Sequence, residues 1–514
     1  MYYTATFSRT RKFSSTTPLL LLIMFGLLFI LPNSVLAQET SGSDKIEAIS
    51  KRLEELEKQV KELKRENSEL KTRLDEKEVP KVALAMESKA PATETNTPAE
   101  GTPDVAAAPQ GSEPQNKEKR LEIGGEIRVR GEYRHNDLRT FSFDSDFLVR
   151  QRSRLHAKVK LTDDITGFVQ IQDSRLWGEE FGTNLDSFNV DLHQAYIDVD
   201  HFLTKPLSLR VGRQELSYGD ERLIGAFDWD DDGRSFDAVK AIYAKKKWSV
   251  DLFAARIQED PFFSGFEYQD FYGAYLKLFN DNPNRKLEFY GLVLNDSIFR
   301  LGEARNSFDT TTIYTYGTRQ EVKSNSGFYY DGELALQTGH RGPDRHRALA
   351  LAGRVGKYFE SARSLHFGFE FDLATGDKNI GDGKSNEFLD LFPNNHIHYG
   401  YMDFLGWRNM VDYRVNAGFN PISKFAFDAD YHRFFLHREG GRWRDASGQT
   451  LGFDPFGLTG KDLGHELDFT LSFPYKERIK FLTGYSVFFS GRFAEFMRFS
   501  RLSQFSYAQM LISF

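Results

Sequence analysis

The chain has 514 residues, a formal net charge of −7, 40% hydrophobic and 14% aromatic residues, 47 Phe and 22 Tyr, and no Cys. The missing thiols exclude disulfides, Cys-ligated zinc, iron–sulfur clusters and a lipidated N-terminal Cys, and the length exceeds one ordinary globular core. A mean hydropathy of −0.50 beside so many rings excludes a helical membrane protein and is unusual for a soluble enzyme, whereas a transmembrane β-barrel has both properties because it alternates lipid-facing apolar residues with polar residues facing a wet lumen.

Arg9, Arg11 and Lys12 precede an apolar run of thirteen residues, 19–31, and Val35-Leu36-Ala37 follow as a cleavage site. The run is shorter than the roughly 18 to 20 residues needed to span a bilayer, so residues 1–37 read as a secretory signal peptide. Ile46, Ile49, Leu53, Leu56, Val60, Leu63, Asn67, Leu70 and Leu74 then repeat at 3-4 spacing, which predicts a periplasmic coiled coil over 45–77 and a homo-oligomer through 46–74. Pro80 ends the helix, and 78–119, rich in Pro, Ala, Thr, Glu and Ser, reads as a disordered linker. Residues 1–120 carry 18 basic and 18 acidic side chains, so the whole net charge of −7 belongs to the remainder.

From residue 121 the hydrophobic period becomes two. Leu121, Ile123, Ile127, Val129 and Tyr133 alternate with Glu122, Glu126, Arg128, Arg130, Glu132 and Arg134, so one face meets lipid and the other meets water. Val149, Leu155, Ala157, Val159 and Leu161 similarly oppose Arg150, Arg152, Arg154, His156, Lys158 and Lys160. The same dyads recur at Leu365–Leu373, Phe425–Tyr431 and Leu467–Phe473 with Phe on the apolar face. Tight connections at 162–164, 245–246, 280–285 and 420–421 trade places with long ones at 175–188, 218–235, 376–408, 434–463 and 491–502. That pattern predicts an all-β, antiparallel outer-membrane barrel over 120–514 with about eighteen strands. The terminal Phe514, with apolar residues at alternate positions before it, resembles the C-terminal signature of such barrels.

Two stretches are more specific. One runs from Val211-Gly-Arg-Gln-Glu-Leu-Ser-Tyr-Gly219 through Asp228-Trp229 to Gly233-Arg-Ser-Phe-Asp237. The other runs from Thr375-Gly-Asp377 through Phe388-Leu-Asp-Leu-Phe-Pro393, His396 and Tyr399-Gly400 to Gly406-Trp-Arg-Asn409. Together they resemble the alginate export family of outer-membrane porins over about 121–514. The resemblance implies a monomeric 18-stranded barrel through which a polyuronate leaves along an arginine-lined constriction, and it does not cover the coiled coil.

An anionic path also follows from the residues, because the guanidinium fork holds a carboxylate bidentately. Arg128, Arg130, Arg150, Arg152, Arg154 and Lys158 share a lumen-facing wall, and Arg213, Arg222 and Arg234 lie in the first family-like stretch, Arg213 being the first candidate for a further constriction. The alternative is that these cations merely brace the barrel against Glu126, Glu132, Asp372 and Glu466. The connection from Gly376 and Asp377 through Phe388, Phe392 and His396 to Arg408 is too apolar for an open loop and is expected to fold inward as a gate. Asp228, Asp230 and Asp232 match half of an EF-hand loop, a weak Ca²⁺ candidate without the acidic twelfth position; no other cofactor and no nucleic-acid partner are expected. No G-x-S-x-G, H-E-x-x-H or complete P-loop is present, so an enzyme is not expected. The expected function is passive passage of an anionic polysaccharide or small anions across the outer membrane. The alternative is a structural tether whose coiled coil binds a periplasmic partner while the barrel only anchors it.

Overall fold

Alternation with period two makes each segment amphipathic only as a strand, and the strands form where the alternation runs. The computed structural model describes residues 120–514 except 141–144, 180–188, 260–267, 280–283, 298–309, 360–363, 380, 422–423 and 499–501. The signal peptide over 1–37, the coiled coil over 45–77 with its seam at 46–74, and the linker over 78–119 lie outside the described residues. The tether reading depends on them.

The strands are β1 (Leu121–His135), β2 (Ser145–Lys160), β3 (Ile165–Leu176), β4 (Val190–Val199), β5 (Leu207–Gln214), β6 (Phe236–Lys245) and β7 (Trp248–Glu259). They continue as β8 (Tyr268–Phe279), β9 (Arg285–Asp296), β10 (Thr311–Lys323), β11 (Phe328–Arg341), β12 (Asp344–Phe359), β13 (Leu365–Ala374) and β14 (Lys384–Ser385). The last are β15 (Met410–Phe419), β16 (Ala426–Leu436), β17 (Arg442–Arg444), β18 (Thr450–Phe453), β19 (Asp462–Tyr475), β20 (Ile479–Ser490) and β21 (Leu502–Ser513). The main sheet has 19 strands, of which β14 is a two-residue parallel addition to β12. The other eighteen pair antiparallel with their neighbours, and β1 pairs with both β2 and β21, which closes the barrel and leaves no edge.

The outward face is apolar. Ile123, Phe147, Leu155, Val355, Phe367, Phe369, Val415 and Tyr485 are exposed, while Arg128, Glu132, Arg152, Glu370, Asp372, Asp430 and Glu466 on the opposite parity are buried inside. Long connections leave one rim and short ones the other, with one exception: β11 and β12 meet at Gly342-Pro343 on the long-loop rim, where Gly342 takes φ 58°. The two-stranded hairpin β17–β18 and the short helix α1 (Arg492–Arg498) are additions within long connections that the alternation did not signal.

The interior contains an apolar core. Leu216, Leu223, Ile224, Phe388, Leu391, Tyr399, Met402, Phe404, Leu405 and Trp407, all from two long connections, are buried with inward residues of the wall such as Phe253, Phe271, Leu292 and Phe488. Each such large side chain contributes roughly 1.5–3 kcal/mol when fully buried, so these connections are held within the barrel by the same force that folds a soluble core.

Phe369, in the middle of β13, is 44% exposed on the outer face. Phe369→Arg is expected to lower unfolding stability in lipid vesicles by about 2–4 kcal/mol, and Leu365→Arg, at the strand end, by about 0–1. Equal costs at the two positions would contradict this placement of the membrane.

Candidate functional site

Strand parity puts Arg128, Arg130, Arg150, Arg152 and Arg154 on one inward wall. Arg128 stands opposite Arg152, and Arg130 opposite Arg150. Like charges directly across a strand pair repel, so this wall requires acceptors. It finds them in the connection 215–235, which enters the lumen. Five consecutive carbonyls point at the wall. Asp228 O accepts from Arg128 Nη1 at 2.6 Å, Trp229 O from Arg130 Nη1 at 2.9 Å, and Asp230 O from Arg128 Nη2 at 2.8 Å. Asp231 O accepts from Ser174 Oγ at 2.8 Å and Asp232 O from Gln172 Nε2 at 2.8 Å.

Two carboxylates complete the grip. Asp228 Oδ1 lies 2.8 Å from Arg152 and 3.0 Å from Arg154. Asp231 takes Arg150 at 2.7 Å and Arg128 at 3.0 Å. Of the expected bracing acids, Glu126 takes Arg152 and Glu132 takes Arg130, both at 2.6 Å. Asp372 instead serves Arg222 at 3.3 Å, and Glu466 accepts from Met402 N at 2.8 Å. The Arg130 guanidinium lies 3.9 Å over the Trp229 ring, which also stacks on His396 at 4.0 Å. Asp230, the middle acid of the suspected Ca²⁺ loop, accepts from Asp232 N at 3.1 Å. Among the described residues no group of three or more His, Asp or Glu side chains is arranged to hold a metal ion.

The same connection reaches the far wall. Arg222 bonds to Glu370 of β13 and donates to Tyr399 Oη at 2.7 Å. Arg234 donates through Nη1 to Gly225 O at 3.0 Å and to Phe392 O and Pro393 O, the last at 2.9 Å. Arg222 and Arg234 therefore tie the two inward connections together.

The connection 375–409 lies inward as the sequence predicts. Leu389 N donates to Gln337 Oε1 of β11 at 2.9 Å, and Asp403 reaches Arg134 of β1 at 3.9 Å. Phe388 and Trp407 are fully buried against each other, with ring centroids 5.4 Å apart. Phe392 packs on Phe271 at 4.9 Å. His396 bonds to Asp403 at 2.7 Å. Asp377 caps its own turn through Asn379 N and Asn386 N, both at 3.0 Å. Gly376 serves close approach rather than turning: a Cβ there would lie 1.6 Å from Asn409 Oδ1. The turning falls to Gly381 and Gly383, at φ 94° and 83°.

Arg213 is a correction. It shares parity with Val211, which is exposed on the outer face, and pairs with Asp237 at 3.4 Å and Asp191 at 3.7 Å. The motif places it next to the lumen in sequence, but strand parity turns it outward. Lys158 does face inward, nearer the short-turn rim than the arginines and exposed. Sequence reasoning missed Trp229, Asp231, Gln172, Ser174 and Tyr399. The run Asp228-Trp-Asp-Asp-Asp232 was the available signal, as an acidic segment complementary to the arginine wall.

The connections' own carboxylates are shifted by their partners. Burial alone would raise the Glu387 carboxyl, but Arg444 and Arg341 at 3.0 and 3.1 Å bring it down to about 2. Burial likewise works against Asp220, and Arg222, His398 and Arg319 bring it to about 2. For Asp403 the same opposition ends below the ordinary carboxylate value, through His396, Arg139 and Arg134. Burial lowers the Arg234 guanidinium to about 10, so it stays charged at neutral pH.

A closed barrel of eighteen antiparallel strands with a lipid-compatible exterior and a charged interior defines an outer-membrane channel of porin type. A family model described as alginate export matches residues 119–500, so the chain belongs to the alginate export family. A search of curated proteins finds no match. Among solved structures, the chain is similar to the outer membrane protein OpdK of Pseudomonas aeruginosa, at 9% identity and TM-score 0.50 over 76% of this chain and 98% of that one. It is similar to OpdO of the same organism, at 11% and 0.50 over 77% and 97%. It is also similar to a BenF-like porin from Pseudomonas fluorescens Pf-5, at 10% and 0.50 over 77% and 99%. At these identities the likeness is one of fold.

Glu387, Asp220 and Asp403 all sit below their unfolded values, so the docking they supply is complete above about pH 4 and is lost as pH falls toward about 2. Acrylamide quenching of indole fluorescence is therefore expected to stay flat from neutral pH to about 4.5 and to rise below about 4. A rise centred near the ordinary histidine value would contradict this assignment.

Proposed function

We propose that this channel passes anionic saccharides, polyuronates included, or other small anionic solutes, along the arginine wall of β1 and β2. The observation that carries the reading is what the wall now holds: a segment of four aspartates whose carboxylates and carbonyls engage its guanidiniums. A wall that accepts this segment has the donor geometry for a chain of carboxylates and sugar oxygens. The segment and a permeant polyanion compete for the same donors, so passage requires 226–233 to leave the wall. Conduction and bracing, alternatives in the sequence, become two states of one set of arginines.

The connection 376–408 frames the gate. Its Phe388, Tyr399, Phe404 and Trp407 are fully buried, which favours a fixed body, whereas the 228–232 tip is held chiefly by polar contacts that an anion can replace. His396 against Trp229 and Arg234 under Phe392 and Pro393 couple the two. The inward-facing Arg222 acts in this coupling and the outward Arg213 does not.

Asp228→Asn combined with Asp231→Asn is expected to raise both conductance and the anion-to-cation permeability ratio in planar bilayers, because it removes the competing charge. Arg152→Glu combined with Arg154→Glu is expected to lower the ratio, and more at 0.01 M salt, where the Debye length is roughly 30 Å, than at 0.1 M, where it is about 10 Å. If neither pair of substitutions moves the reversal potential, the wall does not see the permeant ion and the reading fails.

A further inference from the structure

The upper arginines are all ion-paired, yet the lumen nearer the short-turn rim holds cations that are not, although Lys277 lies over the Tyr218 ring at 5.3 Å and the Tyr275 ring at 5.6 Å. Lys158 of β2, Lys240 of β6 and Lys277 of β8 face inward by strand parity and make no ion pair among the described residues. Their neighbouring acids are committed elsewhere. Asp198 takes Arg210 at 2.6 Å, Asp251 accepts from Tyr218 Oη at 3.1 Å, and Glu288 lies 3.3 Å from Arg319. Glu122, opposite Lys158 in the register, makes no ion pair with it.

Between these lysines runs a ladder of rings. His156 stacks on Phe168 with centroids 5.6 Å apart, and Phe168 on Tyr196 at 5.0 Å, with interplanar angles of 26° and 22°. Phe168 stands directly opposite both Lys158 and Tyr196 in the register. The Arg210 guanidinium covers the Tyr196 ring at 4.0 Å and lies opposite Lys240. Rings stacked across neighbouring strands turn their edges to the lumen, and the edge is the positive part of the aromatic quadrupole. Phe168, Tyr196, Lys240 and Lys277 are half-buried and Lys158 is exposed. From Lys158 on β2 to Lys277 on β8 the band spans six strand spacings, roughly 29 Å of wall, with the ring ladder between Lys158 and Lys240.

We propose that this band is an anion-capture subsite on the short-turn side of the gate, taking a sugar ring that bears a carboxylate: Lys158, Lys240 and Lys277 supply the charge, and the edges of His156, Phe168 and Tyr196 supply the contact surface. It rests on the reading of the chain as an anion channel and adds where the solute is first held. A solute arriving from the short-turn side meets these lysines, free of ion pairs, before the arginine wall, and is concentrated there until the 228–232 segment yields. Lysines left without an ion pair, where the neighbouring acids are held by other partners, raise local anion concentration and association rate, an effect that salt screens.

The full-length protein in planar bilayers, with a uronate oligomer as probe and a neutral glucan oligomer of equal length as control, tests this. With the probe on the short-turn side, blockade of the ionic current is expected, absent for the glucan and weakened by salt. Lys158→Gln combined with Lys240→Gln should lower the blockade on-rate by about tenfold or more. Lys158→Arg with Lys240→Arg should keep it, which separates a lost site from a damaged barrel. Tyr196→Leu should shorten each blockade. An ionic current blocked equally by glucan and uronate, or equally in the Gln and Arg variants, overturns the subsite while leaving the channel standing. No ionic current from correctly inserted protein, in the wild type and in the Asp228→Asn, Asp231→Asn variant alike, overturns the channel reading itself.

Discussion

Five arginines cannot crowd one inward wall of two neighbouring strands unless something neutralises them, and this constraint organises the interior. Arg128 opposes Arg152 and Arg130 opposes Arg150. Glu126 and Glu132 neutralise part of the wall, and the backbone and acids of 228–232 engage it further. Once that segment is drawn to β1–β3, Arg222 and Arg234 behind it are placed to engage Glu370, Tyr399 and the carbonyls of Phe392 and Pro393. The second connection is thus positioned by the first.

The filling of the lumen follows. Porin-type barrels leave water inside, but here Phe388, Tyr399, Met402, Phe404 and Trp407 are fully buried among inward wall residues. An apolar body fixed in the barrel narrows what must move to the polar tip between Ala226 and Gly233. Apolar packing resists opening at any ionic strength, whereas the tip's contacts are charged and exchangeable for an incoming anion. Passage and closure then draw on one set of donors.

Much of this was legible in the sequence. Period two, Phe on one parity, and the alternation of short and long connections yield the eighteen barrel strands and their faces, because lipid and water impose opposite demands on alternate residues. The inward course of 376–408 was legible from Phe388, Leu391, Phe392 and Trp407, which are too apolar to lie in water. The partner of the arginine wall was not, since Asp228–Asp232 lies about a hundred residues from Arg128 and its pattern also suits a cation loop. Arg213 was misplaced because a motif identifies neighbours in sequence, while the face of a residue depends on the parity of its own strand. The hairpin β17–β18 and helix α1 carry too few residues to show a period.

The central claim is that an anionic solute passes only when 228–232 leaves the wall. The chain contains no Cys of its own, and the Ser174 hydroxyl donates to Asp231 O at 2.8 Å, so these residues are neighbours, and Ser174→Cys with Asp231→Cys, bridged by a short reducible bifunctional thiol reagent, offers a way to pin the segment. The most direct measurement is efflux of uronate oligomers from proteoliposomes holding this double variant, with the cross-link formed and then cleaved. The account predicts that efflux stops when the segment is cross-linked to β3 and returns on reduction. Equal efflux in the cross-linked and reduced states, with the cross-link verified by mass, would contradict it.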